Sequence, residues 1–168
     1  MKRLISHIQR LKRCESGAPM VEFAMILPLL LLFIAVIIEG SRITWAHQAA
    51  AAGVRDASRM IARTAPIDLC ATATGPVTLG GDYEVTATTI VTNQLGGTSI
   101  MPIGTSVVDV IPTCLRRNGA YRVNPASVVE VTAQVRVEFL FGNVFSLFGG
   151  ALGPLNMEIS DQSRVFGI

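Results

Sequence analysis

The sequence predicts an α+β protein in which a long N-terminal helix, half membrane-spanning and half outside the bilayer, packs on a small antiparallel sheet. Three observations predict it. Phe23 to Ile38 is a run of 16 residues without a charge, enough for about 24 Å of helix, or about 31 Å if the helix starts at Ala18. From Glu39 to Arg63 there is no Pro and much Ala, so the helix is expected to continue beyond the bilayer. Further on, Val129, Val131, Ala133, Val135, Val137 and Phe139 alternate with Glu130, Thr132, Gln134, Arg136 and Glu138, the pattern of a half-buried strand.

Residues 1–17 precede the helix and hold Lys2, Arg3, Arg10, Lys12 and Arg13 against one acid, Glu15. This bias keeps the N-terminus in the cytoplasm and puts everything after Ile38 outside. The same residues account for the nominal net charge of +2. They hold five of the 14 basic and one of the 12 acidic side chains, and no Lys follows them. The remainder is slightly acidic, which argues against a nucleic-acid surface. A secretory signal peptide fits less well, because its apolar core is shorter and ends at a small-residue cleavage site, which Glu39-Gly40-Ser41-Arg42 does not offer.

Glu22 is the anomaly, a carboxylate at the edge of the apolar run, where an ionised group is costly unless it has a partner or a role. An amine is the candidate partner. A cut between Gly17 and Ala18 would make Glu22 the fifth residue of the mature chain, the spacing of a class III signal. The plainer reading is an interfacial acid beside an ordinary anchor.

Gly17-Ala18-Pro19-Met20-Val21-Glu22-Phe23-Ala24 followed by Met25-Ile26-Leu27-Pro28-Leu29-Leu30 resembles the type IV pilin superfamily, and within it the TadE-like minor pseudopilins of tight-adherence pili. Glu39-Gly40-Ser41-Arg42 and the Ala-rich segment ending in Arg55-Asp56-Ala57-Ser58-Arg59 are similar to the family's helix continuation. Ala18 departs from the N-methylated Phe that most pilins place there. The resemblance implies a cytoplasmic leader at 1–17, a transmembrane helix at 18–38, a periplasmic helix at 39–63 and a periplasmic α+β head at 64–168. It makes Gly17 the recognition residue of a prepilin peptidase, Ala18 the new amino terminus, and Glu22 the acid that pairs with a neighbouring subunit's amine. Pro28 removes one helical donor, that for the Ala24 carbonyl, so a bend or loosening is expected there. In the family such a Pro marks where the helix loosens on leaving the bilayer.

On the periplasmic helix, Ala46, Ala50, Gly53, Ala57 and Ile61 form a narrow face that another element can approach closely. Arg55, Arg59 and Arg63 share a different face, a solvated stripe or a binding one, with Asp56 spaced to pair with Arg59. Residues 64–81 are rich in Gly and Pro and read as a linker. Asp82 to Leu95 alternates as a strand would, yet its length also suits a short helix; the family resemblance favours the helix. Beside the strand at Val129–Phe139, a second runs from Leu155 towards Phe166 and a third covers Ser106 to Ile111, ahead of Pro112. Between two of these strands, Leu140 to Gly153 is unusually apolar for a connection, with Phe141, Phe145 and Phe148. It either closes the core or forms an interface.

Cys14 lies in the leader, while Cys70 and Cys114 fall in the exterior part, where disulfides persist. They are either bonded to each other or two separate buried thiols. His7 and His47 fall on opposite sides of the membrane, so no His-based catalytic or metal site is expected. No phosphate loop or dinucleotide fingerprint is present. No enzyme activity, cofactor, metal or small-molecule substrate is expected. The expected partners are a prepilin peptidase, other pilins, inner-membrane assembly proteins of the pilus machine, and membrane lipid. The expected function is assembly of, or incorporation into, a tight-adherence pilus. The alternative is an uncleaved bitopic envelope protein whose periplasmic head is a binding module for a secretion or surface machine.

Overall fold

The computed structural model describes residues 17–93, 98–146, 149–150 and 152–167. Helix α1 runs through Ala18–Thr64. The chain divides into two compact units, Met1–Ile38 and Glu39–Ile168, with the boundary inside this helix.

In the first unit the helix is apolar all round. Met20, Phe23, Met25, Leu29, Leu31, Phe33 and Ile37 are all exposed, and a helix hydrophobic on every side needs an apolar environment. Among the described residues, α1 is the one helix long and apolar enough to cross a membrane.

The second unit follows the order α1, β1 (Val77–Thr78), α2 (Asp82–Thr92), β2 (Thr105–Arg117), β3 (Ala126–Val137), α3 (Gly142–Ser146) and β4 (Leu155–Arg164). The sheet is antiparallel in the order β1-β2-β3-β4. Its core is made of Val129, Val131, Ala133, Val135 and Val137 from β3, together with Ala46, Ala50, Val54, Ala57 and Ile61 from α1 and Ala87 and Val91 from α2. Alternation on β3 thus translates directly into one buried face.

The small-residue face of α1 receives α2 at very short range. A Cβ on Gly53 would lie 2.9 Å from the Cα of Val91 and 3.3 Å from its carbonyl oxygen. Only a residue without a side chain allows this approach. Gly53→Val is therefore expected to destabilise the fold by about 1–3 kcal/mol through overpacking. An unchanged midpoint in thermal unfolding of the detergent-solubilised chain would contradict so close a packing.

Residues Asp82–Thr92 form a helix despite their β-branched content. Tyr83, Ala87, Ile90 and Val91 share one helical face against the core, whereas Val85 and Thr89, which the alternating pattern would bury with them, are exposed. The threonines are accommodated by back-bonding: Thr89 Oγ1 donates to the Val85 carbonyl at 2.8 Å and Thr92 Oγ1 to that of Thr88 at 2.7 Å.

Three strands were expected and the sheet has four, because part of the 64–81 linker pairs as β1, with Val77 opposite Cys114 and Thr78 opposite Thr113. The strand expected to stop at Ile111 continues through Pro112 to Arg117. Proline is tolerated because of its orientation. The Leu79 N–H donates to the Pro112 carbonyl at 2.8 Å, so the donor that Pro112 lacks would have faced the short β1 side and not β3. The register with β3 shifts between Val107 and Asp109, leaving Val108 as the extra, exposed residue of a bulge. One expected surface contact is missing. No ion pair joins Asp56 to Arg59; the pairs among the described residues are Glu39–Arg42 and Arg136–Glu138.

Cys70, in the turns after α1, is bonded to Cys114 on β2, with Cα atoms 5.7 Å apart. Ser127 supports the junction: its Oγ accepts from the Cys70 N–H at 3.2 Å and donates to the Ile67 carbonyl at 2.8 Å. The bond closes a sequence separation of 44 residues. Cys114→Ser is expected to cost about 2–4 kcal/mol in chemical denaturation, on the loop-entropy argument. A denaturation midpoint unaffected by reductant would show that the bond constrains nothing.

Candidate functional site

Each unit contains one group of residues that goes beyond packing. In the first unit, Gly17 directly precedes α1, is exposed, and among the described residues has nothing within 4 Å of where a Cβ would be. Ala18 is the first helical residue, and Glu22 follows four positions later. That spacing sets both on one side of the helix, a turn apart. Glu22 is exposed among apolar neighbours, and Pro28 lies within the same helix.

In the second unit the sequence reading missed the roles of Glu39 and Arg42, which immediately follow the apolar run. Both are buried, at 3% and 9% exposure, and they form an ion pair three residues apart in the helix. Each also holds a distant loop. The other Glu39 oxygen, Oε1, accepts the Phe141 N–H at 2.8 Å. Arg42 Nη2 donates to the Ile103 carbonyl and to that of Glu138 at 3.4 Å. The two loops are joined in turn, since the Glu138 N–H donates to the Gly104 carbonyl at 2.7 Å.

Gly104 is required at this point for two reasons. Its φ of +75° suits glycine, and a Cβ there would come within 2.7 Å of Arg42 Nη2. The result is a clamp in which one charged pair on α1 ties the loop before β2 to the segment after β3. The available signal was a Glu and an Arg spaced i, i+3 on an otherwise Ala-rich helix. Their loop partners lie about 60 to 100 positions away and have no local signature.

The residues expected to make an interface divide between the described and undescribed parts. Phe141 and Phe145 are half-buried at the start and within α3, and Leu140 and Leu152 are each about half exposed. Phe148 lies outside the described residues. Among the described residues no group of His, Cys, Asp or Glu is arranged to hold a metal ion.

The fold defines a class: a protein with one N-terminal helix apolar enough for a single membrane pass and an α+β unit built on the continuation of that helix. The more specific assignment comes from the helix itself. Residues 17–59, about a quarter of the chain, match the family model for TadE-like protein, so this stretch of α1 is similar to that family. No curated protein and no solved structure matches the chain.

Proposed function

We propose that the protein is a minor pilin or pseudopilin that takes part in assembling a tight-adherence, type IV-like pilus, after a prepilin peptidase cuts between Gly17 and Ala18. The observation that carries this reading is the TadE-like match, which begins at Gly17 and extends along α1. On this reading residues 1–17 are a cytoplasmic leader, 18–38 cross the inner membrane, and the rest lies in the periplasm or in the extracellular fibre. The new Ala18 amine would need a counter-charge among apolar helices. Glu22, one turn along, is the acid available to a neighbouring subunit. Pro28 would let the helix loosen during extraction, and the apolar surface around Phe141 and Phe145 would meet other pilins or inner-membrane assembly proteins.

N-terminal sequencing of the protein extracted from membranes tests the reading directly. The expected first residue is Ala18. A chain beginning at Met1 would instead support an uncleaved bitopic envelope protein.

Glu22→Gln separates cleavage from assembly. The peptidase is expected to read chiefly Gly17, so processing continues, while loss of the charge leaves the Ala18 amine uncompensated where an unpaired ion costs several kcal/mol. The fraction of mature protein recovered with sheared pili should fall at least severalfold. Recovery at the wild-type level would remove the pairing role from Glu22, since Gln keeps the size and hydrogen bonding and lacks only the charge.

A further inference from the structure

A cleft lies at the opposite end of the helical part of the second unit from Glu39 and Arg42. The cleft, of about 370 Å³, is lined by Arg59 and Arg63 of α1, by Asp161, Gln162, Ser163 and Arg164 at the end of β4, and by Phe166. Arg59 and Arg63 of α1 and Arg164 of β4 therefore line one cleft with a single acidic residue, Asp161. That carboxylate is already engaged, because Asp161 Oδ2 accepts from the Oγ of the fully buried Ser58 at 2.8 Å. None of the three arginines forms an ion pair among the described residues. Arg164 is held over the Tyr121 ring, 5.4 Å from its centroid, an arrangement that orients the cation without neutralising it.

From these features we infer that the cleft binds a carboxylate-rich peptide segment of a partner protein. The excess of positive charge selects an anion, and arginine forks suit planar carboxylates. Three further observations favour a peptide. Phe166, 69% exposed, supplies an apolar contact beside the cations. β4 is the last strand of the sheet, so the cleft adjoins an edge at which an extended chain can bond to backbone. Asp161 in the lining opposes a multiply charged phosphate more than a single carboxylate. The inference is independent of the pilus reading and of leader cleavage.

The test uses the full chain in detergent micelles and a fluorescein-labelled octapeptide of alternating acidic residues with one Phe, followed by fluorescence anisotropy. The acidic peptide is expected to bind, its Asn/Gln counterpart is not, and affinity should fall with added salt. The double variant Arg59→Gln/Arg63→Gln should weaken binding by about tenfold. Arg116→Gln/Arg117→Gln, in a separate cleft, should leave it unchanged. Both pairs are exposed, and retention of the Cys70–Cys114 bond by mass mapping checks that each variant is folded. The inference is overturned by no binding at millimolar peptide, by equal binding of the neutral peptide, or by an unaffected Arg59/Arg63 variant. Pyrophosphate displacing the label at lower concentration than unlabelled acidic peptide would make this a phosphate site and overturn it too. Self-association of the chain that disappears in the same double variant would give the cleft to a second copy, and not to another protein.

Discussion

Glu39→Ala is expected to destabilise the second unit by about 3–5 kcal/mol, the range for breaking a buried ion pair by removing one partner. Two groups lose their acceptor at once. The Arg42 guanidinium stays buried among the Ile103 and Glu138 carbonyls with its counter-charge gone, and the Phe141 N–H loses the carboxylate oxygen at 2.8 Å. Arg42 is already at its limit, because its Nε is buried without a partner among the described residues. Hydrogen exchange in the detergent-solubilised chain gives the measurement. Protection should drop at Phe141 and at Glu138, whose N–H bonds to Gly104 in the joined loops. Replacing both charges, as Glu39→Met with Arg42→Met, should recover much of the loss, since an apolar pair of similar volume leaves no ion stranded. If Glu39→Ala unfolds within about 1 kcal/mol of wild type, a typical surface-pair effect, the clamp is not what holds these loops.

Gly17→Leu is expected to abolish leader removal. What matters is where the new side chain would go. Among the described residues nothing lies within 4 Å of a Cβ at this position, so a leucine there meets no steric conflict with them and the second unit is free to fold. Any loss of processing then reports the fit between chain and peptidase, whose site must admit a residue without a side chain at the cut. The expected product is a full-length, membrane-bound protein that retains residues 1–17 and still forms the Cys70–Cys114 bond. Mass spectrometry of the extracted protein distinguishes this from normal processing. A variant that matures like wild type would reject the class III reading, and with it the route by which the Ala18 amine arises.

The two expected results concern features that differ in how openly the sequence displays them. The helix from Ala18 to Thr64 was legible because its cause is local: an uncharged run, then Ala-rich sequence, with Pro66 just beyond its end. Strand β3 was legible for the same reason, since side-chain direction alternates with every residue and the central strand of a one-sided sheet shows that alternation undiluted. Cys70 and Cys114 limited the possible pairing, although only their 5.7 Å Cα separation shows that they meet.

Tertiary structure decided the rest, because the deciding partners are distant in sequence. Asp82–Thr92 carries both a strand period and a helical one, and the narrow face of α1 at Gly53, where Val91 packs, favours the helix. Val77 and Thr78 are a strand because β2 runs past Pro112 to meet them. Arg59 and Arg63 read first as a solvated stripe, and only the fold brings Arg164, about 100 residues later, to the same cleft. Glu39 and Arg42 looked like ordinary polar residues after an apolar run. They are buried because loops more than 60 positions away supply the carbonyls and the N–H that satisfy them. A buried charge is stable only where such partners converge, and convergence is a property of the fold and not of any local stretch of sequence.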